Sequence, residues 1–85
     1  MAFILKVDGS KETLDNVNLE TLQKAVGGFI EVVPTNDGRE IVLNEEGKLQ
    51  GLKVNLMASA LAEGVIAEND RIVGDVVICD MGEMK

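Results

Sequence analysis

A tight turn between two β-branched segments sets the strongest limit on the fold. Strand-favouring residues fill positions 29–33 (FIEVV), and Pro34 ends that segment. Positions 36–38 (NDG) favour the backbone angles of a tight turn, and positions 40–43 (EIVL) are again suited to a strand. The region 29–43 therefore predicts a β-hairpin, and the fold must contain antiparallel sheet.

Two more apolar runs predict strands outside this hairpin. Positions 3–7 (FILKV) form the first run, and turn-forming residues at 8–11 (DGSK) close it. A polar loop is expected from there to about Val17. Positions 76–79 (VVIC) form the second run, and its unbroken apolar character is typical of a strand that is buried on both faces.

Two short helices are marked by capping asparagines, helical spacing and glycine stops. Asn18 is suited to cap a helix over 19–26, in which the apolar residues keep to one side before Gly27 ends it. Asn55 is suited to cap a second, alanine-rich helix of about two turns, which stops before Gly64.

The resulting order is strand, helix, strand, strand, helix, strand, over a single domain of residues 1–85. It matches the split βαβ arrangement and other two-layer folds, with a curled or partly barrel-like sheet as the alternative because the helices are short and the connections irregular. We therefore predict an α+β fold, a two-layer sandwich with a mostly antiparallel sheet and both short helices on one face. A chain of this size buries only about 60–65% of its unfolded surface. We also expect a homo-oligomer, in which the methionines at 57, 81 and 84 are candidates for an adaptable contact surface. Of these, Met57 is expected in the core and the two terminal methionines at the surface.

Charge and aromatic content argue against a protein that binds nucleic acids. Fifteen acidic residues against eight basic ones give a net charge of -7, which repels phosphate backbones and anionic lipid headgroups. Base stacking needs exposed aromatic rings, and the two here, Phe3 and Phe29, lie in apolar runs that predict core positions. No segment reaches the ~18 apolar residues of a membrane span, and the first residues lack the basic flank of a signal peptide. We expect a cytoplasmic protein without membrane or nucleic-acid-polymer partners.

The residue types also argue against catalysis and metal binding. Histidine is absent, which removes Ser-His and Cys-His nucleophile pairs and histidine-ligated zinc. Cys79 is the sole thiol and lies in the predicted buried strand, so we expect it to be inert. Asp70, Asp75 and Asp80 do not follow the spacing of a calcium loop. We predict no enzyme activity, no metal site and no cofactor.

One candidate ligand site remains. Four basic residues and two asparagines lie in or near the predicted turns, namely Arg39, Asn44, Lys48, Lys53, Asn55 and Arg71. If they converge, they form a small anion-binding site within an otherwise acidic surface. The alternative is that these charges are scattered and serve only to keep the protein dissolved.

Three segments resemble an uncharacterised protein family. They are residues 27–34 (GGFIEVVP), residues 44–52 (NEEGKLQGL) with the nearby Asn55, and residues 72–78 (IVGDVVI). Together they are similar to the domain of unknown function numbered three-eight-four-six, which occurs in bacteria and tailed phages, and the resemblance covers about residues 3–79. The family implies no catalytic residues and no cofactor. It implies a setting, phage genomes and mobile elements, in which small acidic proteins often counter host defence.

Two functions follow as predictions. The first is a non-catalytic counter-defence protein that inhibits a host defence protein by contact, since an acidic surface can compete for basic clefts. The alternative is an oligomeric sponge that sequesters a nucleotide immune signal at the basic residues named above.

Overall fold

An antiparallel sheet of five strands forms the centre of the computed structural model, which describes residues 1–83. The elements in chain order are β1 (Ala2–Leu5), β2 (Lys11–Leu14), α1 (Leu19–Val26), β3 (Ile30–Pro34), β4 (Arg39–Asn44), α2 (Leu56–Leu61) and β5 (Val76–Asp80). Across the sheet the strands lie in the order β2-β1-β5-β4-β3. The predicted α+β class, with an antiparallel sheet and two short helices, is confirmed. No helix within residues 1–83 is long and apolar enough to cross a membrane.

The local predictions about the hairpin and the helix caps are also confirmed. β3 and β4 pair as a hairpin, and Gly38 adopts a φ of +88° in its turn. Asn18 Oδ1 accepts a hydrogen bond from the Thr21 N–H at 3.0 Å, and Asn55 Oδ1 accepts one from the Ala58 N–H at 3.1 Å. Each asparagine therefore satisfies a backbone donor at the start of its helix.

β2 lies where the sequence predicted a polar loop. Its residues pair with β1, although most of them are exposed. The Lys6 N–H closes the hairpin by donating to the Ser10 carbonyl at 2.9 Å, and Gly9 adopts a φ of +89° in the turn. Backbone hydrogen bonds therefore hold this strand without an apolar pattern. Because β2 reverses the chain before α1, β1 and β3 run in opposite directions, and the topology is not the split βαβ arrangement.

The two helices cover opposite faces of the sheet, which corrects the prediction that both lie on one face. On one face, α1 packs into a cluster that consists of Ala2, Leu22, Val42, Val77 and Cys79. On the other face, α2 and the segment after it join a cluster that consists of Leu5, Ile41, Leu43, Ala58, Ala62, Ile72, Val76 and Ile78. Residues 76–79 are all 0% exposed, so their predicted burial on both faces is confirmed. A strand of this kind needs a covering layer on each side, and one helix supplies each layer.

The two phenylalanines differ in burial. Phe3 is half-buried and packs against the core, and Lys11 Nζ lies 5.2 Å from the centre of its ring. Phe29 is 66% exposed, which corrects its predicted core position. It precedes the outermost strand β3, where no neighbouring strand within residues 1–83 covers it. Of the methionines proposed as a contact surface, Met57 and Met81 are exposed, and Met84 lies outside the described residues. The expectation that Met57 lies in the core is therefore wrong.

Candidate functional site

The structure separates the six residues that were predicted to hold an anion. One cleft, which we call the β3 cleft, is lined by Asn44, Lys48 and Arg71. Arg39 lies at the opposite end of β4 from Asn44, Lys53 lines a different depression, and Asn55 is 1% exposed. The predicted convergence is therefore limited to three of the six residues.

The two cations of the β3 cleft already have partners. Lys48 Nζ forms an ion pair with the Asp70 carboxylate. The Arg71 guanidinium donates to two backbone carbonyls of its own loop, at 3.1 and 2.7 Å. The carboxylates of Glu31 and Glu45 line the same cleft. A nucleotide phosphate would have to displace the existing contacts beside these negative charges, so the geometry gives the nucleotide alternative little support.

Arg39 is also paired. Its Nε and Nη2 donate to the Asp37 carboxylate at 3.2 and 2.7 Å. This guanidinium, together with the Thr35 hydroxyl, lowers the pKa of the Asp37 carboxyl to about 2. Arg39 and Asp37 therefore stay charged and paired at neutral pH, where they support the turn between β3 and β4.

Asn44 lines the β3 cleft, but its side-chain amide is used in contacts within the fold. Its Nδ2 donates to the Val26 carbonyl at 3.1 Å and to Gln50 Oε1 at 3.2 Å. Its Oδ1 accepts a hydrogen bond from the Glu46 N–H at 2.8 Å. The side chain thus links the end of α1 to the turn that follows β4, and both of its amide donors are used.

Asn55 joins three parts of the fold. Its Nδ2 donates to the carbonyls of Leu5 and Gly74, each at 3.0 Å, while its Oδ1 caps α2 through the Ala58 N–H. Asn55 therefore has a structural role, which its position before a predicted helix had already indicated.

The three aspartates considered as metal ligands act as separate hydrogen-bond or ion-pair acceptors. Asp75 Oδ1 accepts from the Val7 N–H at 3.0 Å, and Asp80 pairs with the N-terminal amine of Met1 at 2.5 Å. Asp70 pairs with the cleft lysine, as described above. Among residues 1–83, no three His, Cys, Asp or Glu side chains lie close enough together to hold a metal ion. Each aspartate therefore stabilises a different contact of the fold.

Cys79 lies in a setting that keeps its thiol protonated. The residue is 0% exposed, which confirms its predicted burial. Burial raises the pKa of the thiol, and the carboxylates of Glu40, Glu83 and Asp80 raise it further. Because the thiolate is the nucleophilic form, Cys79 has little nucleophilic character at neutral pH.

We expect Cys79 to resist thiol reagents until the protein unfolds. Iodoacetamide should label the native chain more than about a hundredfold more slowly than the same chain in urea, since labelling requires the core to open. Mass spectrometry of the labelled protein measures both rates. Cys79 is the only cysteine, so the unfolded chain is an internal control. Equal rates in the two conditions would contradict the burial of the thiol.

The β3 cleft has a volume of about 250 Å³. Its apolar lining consists of Val33, Leu43, Leu49, Ile66, Ile72 and Val73. Its carboxylates are those of Glu31, Glu45 and Asp70. An apolar lining with acidic groups suits apolar and basic side chains better than it suits a phosphate.

β3 is the outermost strand on its side of the sheet, so only half of its peptide groups face a neighbour. The Thr35 N–H donates to the Arg39 carbonyl at 2.9 Å, and the Glu45 N–H donates to the Phe29 carbonyl at 2.8 Å. Antiparallel pairs alternate between bonded and non-bonded residues, so every second residue from 29 to 35 bonds to β4. Ile30, Val32 and Pro34 lie between the bonded residues, and their backbone groups point away from β4.

The outer edge of β3 therefore presents a defined set of backbone groups. The N–H groups of Ile30 and Val32 point away from β4, as do their carbonyls and that of Pro34. Within residues 1–83 no strand pairs with this edge. No sequence pattern at positions 29–34 was interpreted as a binding edge. Pro34 was an available signal, because proline within a sheet occurs mainly on edge strands.

Comparison with known proteins gives a family but no activity. No curated protein and no solved structure matches the chain. The sequence model of one family, described as a domain of unknown function (DUF3846), matches residues 1–85. The resemblance carried by the three sequence segments is therefore confirmed over the whole chain.

Proposed function

We propose that this chain, which belongs to the family of the domain of unknown function DUF3846, binds a partner protein and performs no catalysis. The partner we propose is a component of host defence, which the chain blocks by contact in the setting of phages and mobile elements. The observation that carries the proposal is the unpaired outer edge of β3 beside an apolar cleft with acidic groups.

A polypeptide is the ligand that best matches this edge. Outward N–H and carbonyl groups follow one another along β3, and the backbone of an added strand offers acceptors and donors at the same spacing. Side chains of the added strand that point toward the cleft then meet its apolar lining. The edge supplies main-chain hydrogen bonds, and the cleft supplies selectivity among side chains.

Charge favours a basic partner. The chain carries a net charge of -7. Three of its cations are already paired with carboxylates, in the pairs Lys6–Glu12, Arg39–Asp37 and Lys48–Asp70. The remaining acidic excess attracts basic surfaces and accelerates their association, an effect that falls as ionic strength rises. Competition for a basic cleft on the partner is consistent with this charge.

We expect the immobilised chain to retain a specific host protein, and we expect neutralisation of the cleft to weaken that binding. In the double variant Glu31→Gln/Glu45→Gln, two carboxylates of the β3 cleft become amides of nearly the same size. Binding should weaken by up to about tenfold, because exposed charge pairs contribute modestly. Quantitative mass spectrometry identifies the retained protein, and the Kd of the purified pair is then measured at low and moderate salt.

The matched control is the double variant Glu63→Gln/Glu68→Gln. It removes the same charge from exposed positions that do not line the β3 cleft. It should bind nearly as well as the unmodified chain, apart from a small salt-dependent loss. Failure of the unmodified chain to retain any specific protein would refute the proposal.

A further inference from the structure

We propose that the segment bound at β3 is extended and carries an apolar, a basic and an apolar residue at every second position. This inference rests on the proposed protein-binding function and goes further, because it states the chemistry of the partner's segment. The side chains along the edge, the elements around the cleft and the charge of the opposite edge of the sheet all support this pattern.

Three side chains at the edge form a row on the face of the sheet that carries the cleft. Glu31 and Val33 line the β3 cleft, and Phe29 belongs to the same row because side chains of a strand alternate between the two faces. Phe29 is 66% exposed, Glu31 is exposed and Val33 is half-buried. Opposed residues of neighbouring strands point to the same face at roughly 5 Å. An added strand therefore places its own row beside an apolar, an acidic and an apolar side chain.

Neighbouring elements add to the preference for an apolar partner residue opposite Val33 and for a basic one opposite Glu31. Leu49 is 86% exposed and Ile66 is half-buried, and both line the cleft together with Val33. A partner side chain opposite Val33 therefore meets apolar groups on several sides. Glu45 pairs with Phe29 and so lies diagonal to Glu31. A lysine or arginine opposite Glu31 meets that carboxylate directly, and Glu45 adds to the negative potential on the same face.

The opposite edge of the sheet does not suit such a segment. β2 ends the sheet there, and the bond from the Lys6 N–H to the Ser10 carbonyl places Lys11 among the residues whose backbone points outward. The Lys11 side chain is exposed. A lysine on an edge strand disfavours strand addition in general, and it repels a basic segment in particular. The pattern we propose therefore selects β3 over β2.

Amide hydrogen exchange of the full chain tests the inference directly. The probe is a synthetic peptide of sequence Thr-Ile-Thr-Lys-Thr-Val-Thr, and the control is the same peptide with glutamate in place of lysine. Without peptide, the Ile30 and Val32 amides should exchange rapidly, and the Glu31 and Val33 amides slowly, because only the latter bond to β4. The lysine peptide should slow exchange at Ile30 and Val32. Binding of this peptide without such protection would overturn the proposal.

Two variants test the backbone and the charge separately. Val32→Pro removes an outward N–H without touching a bond to β4, and it should weaken binding of the lysine peptide by at least about tenfold. Glu31→Lys should weaken it by about the same factor, and the glutamate peptide should restore binding to this variant. Thermal unfolding checks that each variant keeps the fold. If Val32→Pro does not fold, the charge exchange at Glu31 decides the question alone. Equal affinity of the unmodified chain for the two peptides would overturn the proposal.

The outcomes distinguish this inference from the proposed function. If a host protein is retained equally by the unmodified chain and by a folded Val32→Pro variant, the proposed function stands and the inference is wrong. If the lysine peptide binds at β3 but no host protein is retained, the pattern stands and the proposed function fails.

Discussion

Replacing Asn55 with alanine is expected to lower the free energy of unfolding by about 4 kcal/mol. Its side-chain amide donates at 3.0 Å to Leu5 on β1 and to Gly74 before β5, in a position that is 1% exposed. Alanine leaves both carbonyls and the Ala58 N–H without their partner, and each buried unpaired group costs about 1–3 kcal/mol. Urea unfolding followed by circular dichroism measures the change. The expected loss is a large share of the roughly 5–15 kcal/mol that stabilises a typical domain.

Asn18→Ala is the matched control for this prediction. Asn18 also caps its helix by accepting a hydrogen bond from the N–H three residues on, but it is exposed, so water can replace the lost bond. We expect a loss of about 1 kcal/mol for this variant. Similar losses for Asn18→Ala and Asn55→Ala would show that burial does not add to the cost, and this would contradict the role assigned to Asn55.

Replacing Ile78 with alanine is expected to cost about 3–5 kcal/mol of the free energy of unfolding. Ile78 is 0% exposed on the central strand β5, and it pairs with Phe3 on β1 and with Ile41 on β4. Removing most of this side chain leaves a cavity between the sheet and α2, which its neighbours fill only in part. Urea unfolding measures the loss, and an unchanged denaturant slope shows that the two-state transition is retained.

Ile78→Val gives a graded comparison at the same position. It removes a single methylene group and keeps the β-branch, so the expected loss is about 1 kcal/mol. A smaller loss for Ile78→Ala than for Ile78→Val would show that the site collapses around the smaller residue. The expectation that the neighbours of Ile78 fill the cavity only in part would then be wrong.

Local sequence patterns predicted the elements that carry their own signal. The turn with Gly38, the caps Asn18 and Asn55, and the apolar run at 76–79 were sufficient for the hairpin, the helix starts and the central strand. β2 has no such signal, because the sequence KETL is polar and its pairing depends on backbone bonds to β1. β2 forms because β1 lies beside it, and the local sequence pattern of residues 11–14 does not show that neighbour.

The placement of the helices was predicted incorrectly for a different reason. Helical spacing shows which side of a helix is apolar, but it does not show which face of a sheet that side covers. The unbroken apolar run at 76–79 contained the missing information, because a strand buried on both faces excludes a sheet with one open face. A two-layer prediction was inconsistent with that run.

The candidate site was harder to predict than the fold. Arg39 and Asn44 begin and end β4, and a strand rises about 3.3 Å per residue, so their Cα atoms are about 17 Å apart. The extended strand therefore holds these two residues at its opposite ends, too far apart to share one small site. The outer edge of β3 depends on the strand order of the whole sheet, which local patterns do not reveal. Pro34 was the one local indication of it.

The strand order also has a consequence for how the chain is assembled on the ribosome. β5 follows every other element in the chain, yet it lies between β1 and β4 at the centre of the sheet. Until residues 76–80 have been synthesised, the hairpins β1–β2 and β3–β4 share no strand, and each of them presents an extra unpaired edge. Pairing across the centre is non-local, which slows folding relative to local contacts. The nascent chain therefore passes through a stage in which only the two helices and the segments beside them can connect its hairpins by packing.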